Sequence, residues 1–257
     1  MAEYNFTPAS RICQAAHYAD HLVKDVFHFE ATAALTTQHK AMVSSFRTGE
    51  ESITELILPR LAALFSDVIQ VSTYNKQFVE PKYGADWFWI LDFDTCLVPM
   101  LVQAKRTTNS WAGEEDWSVK FDLVQKEQLE LTAAQWDISP FYCIYAPSWT
   151  LHKRRFPNWH ASFMHLVPSP KVPIQPRSPK TFEVKSDSAK FLKAFVPFTR
   201  FCCRTESPSD VTSVLHIKSS QFREKQDLHS LLAASREMAY VRGTAVFKMG
   251  QSLVEFI

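Results

Sequence analysis

Apolar residues recur at the spacing of an amphipathic α-helix in two stretches near the start of the chain. The first stretch predicts an N-terminal helical layer over residues 8–48. Gly49 interrupts the pattern, and a second stripe then includes Ile53, Ile57 and Leu61. Acidic residues stand in the first turns of this second stretch, where the helix dipole favours negative charge. The sequence therefore predicts two helices before the first strand.

Shorter apolar stretches follow, and their β-branched and aromatic residues are typical of strands. The sequence predicts strands over residues 68–73, 87–93 and 100–106. A turn would join the second and third as an antiparallel hairpin. We expect Pro99 either to delay pairing of the third strand until near Met100 or to require a bulge there, because proline has no N–H to donate. We interpret the two tryptophans of the second strand as core residues.

The later part of the chain alternates between helical and strand patterns. Residues 119–136 have helical spacing, and residues 140–145 form a short apolar run. Helix, three strands, helix and strand in this order predict an α/β fold with a mixed sheet flanked by helices, and we place this core at residues 50–147. The remaining predicted elements form an α+β extension over residues 181–257, with helices over 188–196 and 224–238 and a closing strand over 240–249.

The composition is ordinary for a soluble globular protein. With 46% hydrophobic and 21% charged residues, the 257 residues can form a single domain. The formal net charge of +1 identifies no partner. The N-terminus lacks the basic and apolar regions of a signal peptide, and no apolar run approaches the roughly 18 residues that a membrane span needs. The sequence therefore predicts a cytoplasmic protein with no membrane partner.

The cysteines form no compact metal-binding motif. They include no C-x-x-C pair and no accompanying histidine at zinc-finger spacing. We therefore expect them to be small, buried apolar residues in a reducing compartment and expect no zinc site. The five cysteines are Cys13, Cys96, Cys143, Cys202 and Cys203.

A basic, proline-rich loop is predicted over residues 148–180. Its residues 151–180 contain six Lys or Arg, six Pro and no Asp or Glu. Lys153, Arg154 and Arg155 lie close to Phe156 and Trp159. Basic and aromatic residues together are typical of a surface that follows a nucleic-acid strand, so we predict nucleic-acid binding here. The alternative is a stiff surface loop whose charges face only water.

Two short polar strings stand on the predicted hairpin. Gly84-Ala85-Asp86 precedes the second strand, and Gln103-Ala104-Lys105 lies within the third. Because side chains alternate along a strand, Gln103 and Lys105 share one face. A turn centred between residues 95 and 96 would set Asp86 directly opposite Lys105 and diagonal to Gln103. The sequence therefore predicts three polar side chains clustered on one face of the sheet.

These residue types suit metal-dependent cleavage of a phosphodiester. Mg²⁺ prefers hard oxygen ligands, commonly one or two carboxylates together with water and substrate phosphate. Asp86 and a glutamate from the preceding helix could supply the carboxylates, and Gln103 a neutral oxygen. Lys105 could orient or deprotonate the attacking water. Each residue alone would more often be an ordinary polar or ion-paired residue, but their combination on an interior strand costs desolvation unless something such as a metal compensates.

The order helix-glutamate, strand, G-A-D, strand, Q-A-K, helix, strand resembles the PD-(D/E)xK restriction-endonuclease-like superfamily. The resemblance covers about residues 50–146, and the Gln103-x-Lys105 form resembles the Mrr-like QxK branch. The G-A-D-W and L-V-Q-A-K-R strings also resemble a family of uncharacterised bacterial proteins. The resemblance implies a restriction-endonuclease-like core with Asp86 as the metal aspartate, Gln103 in place of the usual acidic residue and Lys105 as the catalytic lysine.

The helix residues of the implied site leave alternatives open. Glu51 is preferred as the helix carboxylate and third metal ligand because it lies nearer the helix start, and Glu55 on the same face is the alternative. Gln125 or Gln128 falls where related nucleases often carry a helix glutamine near the site. The proline that gives the superfamily its name is absent before Asp86, and glutamine at 103 removes one negative charge from the metal site.

The leading hypothesis is a hydrolase, a Mg²⁺-dependent endonuclease acting on DNA. Mn²⁺ is an alternative ion and RNA an alternative substrate. The resemblance also implies bacterial antiviral defence and allows a homodimer, since many enzymes of this fold cut both strands as dimers. The second hypothesis is a nucleic-acid-binding or sensor module that keeps the nuclease fold without cutting, which the glutamine at 103 permits.

Overall fold

The computed structural model describes residues 10–36, 48–74, 85–108, 118–146, 162–173, 181–185, 191, 193–238 and 241–249. The helices are α1 (Arg11–Thr36), α2 (Glu50–Leu64), α3 (Leu123–Gln135), α4 (Phe198–Arg204), α5 (Pro208–Leu215) and α6 (Leu228–Glu237). The strands are β1 (Ile69–Thr73), β2 (Trp87–Asp92), β3 (Leu97–Thr108), β4 (Ser118–Asp122), β5 (Ser139–Tyr145), β6 (Met164–Pro168), β7 (Thr181–Lys185), β8 (Val196–Pro197) and β9 (Gly243–Lys248).

The strands form a mixed sheet. Its main path runs in the order β1-β9-β2-β3-β5-β6-β8, and β4 joins β3 to β7 off this path. The β2–β3 pair is antiparallel, whereas β2–β9 and β3–β5 are parallel. Helices cover both faces of the sheet, as the two core clusters show. The predicted α/β class with a mixed sheet flanked by helices is therefore confirmed.

The two faces of the central strands bury different sets of side chains. On one face, Trp87, Trp89, Val102 and Ala104 pack with α1, α2, α4 and α5. On the other face, Phe88, Leu101 and Ile144 pack with α3, and α6 lies beside them. Trp87 and Trp89 are 2% and 1% exposed, so their predicted place in the core is confirmed. Burial on both faces explains why β2 reads as a continuous apolar run.

The predicted closing strand, over residues 240–249, is confirmed as β9, and it lies between β1 and β2. It pairs antiparallel with β1 and parallel with β2. Gly243 begins β9 at a close approach, because a Cβ atom there would lie 2.5 Å from the carbonyl oxygen of Ser72 and 2.5 Å from the Trp87 ring. Glycine therefore allows the last strand to enter the sheet between two strands that come much earlier in the chain.

The predicted helix over residues 119–136 is correct only in its second part. Residues 118–122 form β4, which pairs with the end of β3 and with β7. The helix α3 starts at Leu123, and the Asp122 carboxylate accepts the N–H of Gln125 at 3.0 Å as its N-terminal cap. The alternating buried and exposed residues of β4 explain the short strand.

The expected effect of Pro99 is wrong, since the β2–β3 ladder includes the pair Ile90↔Pro99 and extends to Asp92↔Leu97. The N–H of Leu97 donates to Arg223 and so points away from β2. Pro99, two residues later, has its nitrogen on the same side, where pairing with β5 begins only at Met100. The missing N–H therefore removes no ladder hydrogen bond.

Two other predictions toward the C-terminus have different outcomes. The helix predicted over residues 224–238 is confirmed as α6, preceded by a short 3₁₀ turn. The helix predicted over residues 188–196 is wrong at its described end, where residues 193–194 form a turn and β8 follows. Residues 188–190 and 192 of that prediction lie outside the described residues.

The cysteine prediction is correct for the core residues and wrong for one pair. Cys143 and Cys202 are buried, and Cys96 is half-buried. Cys13 of α1 and Cys203 of α4, however, form a disulfide across 190 residues of sequence. Sequence spacing could not indicate this pair, because only the packing of α1 against α4 brings the two sulfurs together. Among the described residues, no helix is both long enough and apolar enough to cross a membrane.

Candidate functional site

Asp86, directly before β2, and the Gln103-Ala104-Lys105 string of β3 lie beside each other, but in a different register from the predicted one. Asp92 pairs with Leu97, and the turn is centred between residues 94 and 95 rather than between 95 and 96. Continuing the ladder from Trp87↔Val102 would bring Asp86 beside Gln103 and not opposite Lys105. The predicted pairing of Asp86 with Lys105 is therefore wrong, because the hairpin turns one residue earlier.

The ladder is irregular at Asp86. Its N–H donates to the carbonyl oxygen of Val102 at 3.0 Å, although Val102 is already the partner of Trp87. Asp86 and Trp87 therefore both lie against Val102 of β3, which is the arrangement of a β-bulge at the start of β2. The Asp86 carboxylate accepts the backbone N–H of Ala104 at 2.8 Å and is only 6% exposed. Asp86 is thus held against the residue between Gln103 and Lys105.

Gln103 and Lys105 meet at Gln125, near the start of α3. The Nε2 of Gln103 donates to Gln125 Oε1 at 3.0 Å, and the Nζ of Lys105 donates to the same oxygen at 3.2 Å. Lysine can only donate, so the shared atom must be the amide oxygen of Gln125, and Gln103 must present its NH₂ group to it. The other end of the Gln103 amide, Oε1, is then a buried oxygen with no hydrogen-bond partner among the described residues.

The short strand β4 explains how Gln125 reaches the strand pair. β4 pairs with the last residues of β3, Thr107↔Val119 and Thr108↔Ser118, and the chain turns into α3 directly afterwards. The capping bond from Asp122 fixes the first turn of the helix. Gln128, the alternative from the sequence, donates instead to Thr132 within its own helix at 3.4 Å. Gln125 is therefore the helix glutamine that contacts the Q-x-K pair.

A glutamate at the start of α2 lies beside Lys105. Its Oε1 is 3.8 Å from the Lys105 Nζ, and this residue is Glu50. The side chain of Glu51 lies outside the described residues, so its predicted role stays a prediction. Glu55 accepts from Arg242 Nη1 at 3.2 Å and is about half exposed. Among the described side chains, Glu50 is the helix carboxylate that contacts the lysine.

Sequence patterns did not identify the residues that support this end of α2. The next residue of β3 after Lys105 is Arg106, which forms a bidentate ion pair with Glu30 of α1 at 2.9 and 2.8 Å. Glu30 also accepts the N–H of Thr48 at 2.6 Å, and Arg106 donates to the Thr48 carbonyl. The one available signal was an arginine on an apolar strand, which needs an acidic partner when buried.

The strand β5 next to β3 is deeply buried, and a cysteine on it shows the effect of that burial. Burial and, to a smaller extent, the Asp86 carboxylate raise the pKa of the Cys143 thiol to about 12, while a hydrogen bond with Tyr145 acts in the opposite direction. Cys143 is on β5, paired with Ala104. Asp86 and Gln103 are themselves only 6% and 4% exposed, so their oxygen atoms gain little from bulk water. A cation bound there would interact strongly with them.

The predicted nucleic-acid-binding residues cannot be placed relative to this site. Lys153, Arg154 and Arg155, with Phe156 and Trp159, lie outside the described residues, as does Gly84. Their predicted role stays a prediction.

Comparisons with known proteins give one family and one solved structure. No curated protein matches the chain. A Holliday junction resolvase, Hjc from Archaeoglobus fulgidus, is similar in structure over 57% of this chain and 96% of the resolvase, with 11% sequence identity and a TM-score of 0.32. At this TM-score the likeness transfers no role to any residue. Residues 23–246 match a family of unknown function, DUF6615, and the chain therefore belongs to this family.

Proposed function

We propose that the protein is a metal-dependent nuclease whose site is formed by Asp86, Gln103, Lys105 and Glu50, with Gln125 in support. The observation that carries the proposal is the Gln103 amide. Its NH₂ group is bound to Gln125, and its oxygen is buried without a hydrogen-bond partner in the part of the chain that the structure describes. An unpaired buried oxygen is costly, and a bound cation would remove that cost.

The donor set fits Mg²⁺ or Mn²⁺. Two carboxylates, those of Asp86 and Glu50, and the Gln103 oxygen are hard ligands of the type that Mg²⁺ takes in proteins. Glu51 remains a further candidate from the sequence. When bound, the cation would supply Lewis-acid stabilisation of the negative charge that develops on the phosphodiester. With two carboxylates and one neutral amide, the site carries less negative charge than a site whose three ligands are all acidic. We therefore expect modest metal affinity.

Lys105 is proposed to hold the attacking water. Its ammonium group is placed by two partners, Gln125 Oε1 at 3.2 Å and Glu50 Oε1 at 3.8 Å, and its side chain is 12% exposed. An ammonium group held at a fixed point can donate to the water or to a phosphate oxygen. The hydrogen bond from the Ala104 N–H fixes the position of the Asp86 carboxylate, so that Asp86 can act as a metal ligand beside Gln103.

DNA is the proposed substrate. The basic segment over residues 151–180, with six Lys or Arg and no acidic residue, supports contact with a phosphate backbone. Its composition does not discriminate between DNA and RNA, and the assay below therefore includes both.

The test is cleavage of supercoiled plasmid, and of a labelled single-stranded RNA, by the full chain with Mg²⁺ or Mn²⁺. We expect metal-dependent nicking of the plasmid that EDTA abolishes. Lys105→Ala and Asp86→Ala should each lower the rate at least about 100-fold, as loss of a proton-transfer group or metal ligand does. The matched control is Lys120→Ala, because Lys120 is a lysine on β4 that is 65% exposed and paired only with Glu183 among the described contacts.

Nicking that persists at the wild-type rate in Lys105→Ala and Asp86→Ala would refute the proposed site. Absence of nicking by the wild-type protein, with salt-sensitive DNA binding that survives Asp86→Ala and weakens when Lys153, Arg154 and Arg155 are neutralised, would support the non-catalytic binding module instead. Cleavage of RNA alone would keep the site and change the substrate.

A further inference from the structure

A second group of potential ligands lies where α1 meets α4, away from the β2–β3 hairpin. Cys13 and His17 are four residues apart on α1 and so share one helix face, and Cys203 is at the end of α4. The two sulfurs and a ring nitrogen of His17 all lie within 4.8 Å of one another. In the structure the two sulfurs are joined as a disulfide, with their Cα atoms 4.5 Å apart.

We propose that, with the disulfide reduced, Cys13, His17 and Cys203 form a binding site for a thiophilic divalent cation, Zn²⁺ in the first place. Two thiolates and an imidazole are a ligand set that Zn²⁺ prefers and that Mg²⁺ avoids. The site shares no residue with the proposed nuclease site and does not depend on that proposal. Disulfide and metal exclude one another, because both use the same two sulfur atoms.

Binding of the ion involves the release of protons but no transfer of electrons. The two thiols each lose a proton to solvent, the resulting thiolates and one neutral His17 nitrogen each donate an electron pair to Zn²⁺, and no electron is transferred. Three protein ligands leave the fourth tetrahedral position to a water molecule. The disulfide must first be opened by a dithiol reductant, which supplies two electrons and two protons by thiol–disulfide exchange and is itself converted to a disulfide. Metal binding to the two freed thiols then requires neither oxidant nor reductant.

The three ligand groups are accessible to solvent on one side and held by packed helices on the other. Cys13 is 6% exposed and lies on the helix face that packs into the core, whereas Cys203 is half-buried and His17 is exposed. Cys202, the residue before Cys203, is 3% exposed in the core and anchors α4. The ligand atoms are therefore held by two packed helices while the open side faces solvent, so an ion can enter without unfolding the helices.

Metal binding would tie α1 to α4 without any covalent bond between them. α1 also carries Glu30, which pairs with Arg106 of β3. Because the ligands come from helices that are distant in sequence, binding favours the folded state over the unfolded chain. We expect Zn²⁺ to raise the melting temperature of the reduced protein and to leave that of the oxidised protein unchanged.

The test uses the full chain, reduced and kept free of oxygen, with Co²⁺ as a spectroscopic probe for the Zn²⁺ site. We expect one equivalent of Co²⁺ to produce the visible bands of a tetrahedral ion together with a thiolate-to-cobalt charge-transfer band, and Zn²⁺ to displace it. Cys203→Ser should abolish the charge-transfer band of a two-thiolate site. His17→Gln, a change at an exposed position, should weaken Co²⁺ binding at least about tenfold.

The matched control is Cys96→Ser, which removes a half-buried thiol outside the site and should leave the spectrum unchanged. Circular dichroism of each variant verifies folding. Fully reduced wild-type protein that gives no charge-transfer band would overturn the proposal. So would a band that survives Cys203→Ser, or cobalt affinity that does not respond to His17→Gln, because the site would then not consist of these three residues.

Discussion

Arg106 and Glu30 form a buried bidentate ion pair, with Nη1–Oε1 and Nη2–Oε2 distances of 2.9 and 2.8 Å. Arg106 directly follows Lys105 on β3, and both partners are in contact with Thr48, two residues before Glu50. The guanidinium also lies over the Phe27 ring, 5.0 Å from its centroid. One ion pair therefore connects α1, β3 and the start of α2, and it places Glu50 next to Lys105.

Removal of one partner of this pair should destabilise the protein strongly. Arg106→Met leaves the Glu30 carboxylate buried without its cation, so we expect a loss of about 3–5 kcal/mol in the free energy of unfolding. Urea denaturation measures it. The double variant Arg106→Met/Glu30→Leu should lose less than the sum of the two single variants, because neither charge is then left unpaired. Additive losses would show that the two residues act independently.

Gln103→Glu should tighten metal binding. The change adds a carboxylate at the oxygen to which no described residue donates a hydrogen bond, so we expect the dissociation constant for Mn²⁺ to fall about tenfold or more. Electron paramagnetic resonance of free Mn²⁺ measures the binding. Gln128→Glu adds the same charge on α3 at a residue bonded only to Thr132 among the described contacts. An equal effect of both variants would indicate a general charge effect and not a ligand at 103.

Gln125→Ala should reduce nicking, whereas Gln128→Ala should not. Gln125 Oε1 accepts from both Gln103 and Lys105, so its loss leaves both side chains without their common anchor. A displaced Lys105 costs about 10- to 100-fold in rate. The comparison is made by plasmid nicking at saturating Mg²⁺, with thermal melting to verify that both variants fold. Equal rates for the two variants would exclude Gln125 from the site.

The free energy of unfolding should depend on pH through the titration of the Asp20 carboxyl group. Burial raises the pKa of this carboxyl to about 6, although its oxygen accepts from Phe163, Ser162 and Met164. A folded-state pKa above the unfolded value favours the protonated form in the folded protein. Its stabilising contribution is therefore complete below about pH 4 and is lost as pH rises to about 6, by up to about 3 kcal/mol.

Asp20→Asn removes this titration and retains an oxygen acceptor. Urea unfolding at several pH values between 4 and 7 should give a flatter profile for the variant than for the wild type. A wild-type stability that rises with pH through this range, and rises less in the variant, would mean that the folded-state pKa is lowered instead.

Gly243→Ala should weaken the sheet where β9 enters. The added Cβ would lie 2.5 Å from the Ser72 carbonyl oxygen, a backbone atom that can move only with β1. We expect a loss of about 1–3 kcal/mol of unfolding free energy, the usual cost of overpacking. Gly49→Ala, where a Cβ meets nothing within 4 Å, should change stability by less than about 1 kcal/mol as a helix-cap substitution. Similar losses at both positions would contradict the close approach.

Local patterns predicted several elements correctly because they depend only on neighbouring residues. α2 begins at Glu50 where Gly49 interrupts the apolar pattern, and β5 follows from its apolar run. As predicted, Asp86 directly precedes one strand of the hairpin, and the Gln103-Ala104-Lys105 string lies on the other. β4 was missed because its five residues precede a helix with a similar apolar content, and periodicity is ambiguous over so short a stretch.

The sequence by itself determined which side chains could form a polar cluster, since alternation along β3 puts Gln103 and Lys105 on one face whatever the pairing. Only the tertiary structure decided what surrounds them. The bulge at Asp86, the approach of Glu50 and Gln125, the insertion of β9 and the meeting of Cys13 with Cys203 all join residues far apart in the chain. Such contacts depend on how whole helices and strands pack against each other, and no local spacing records that packing.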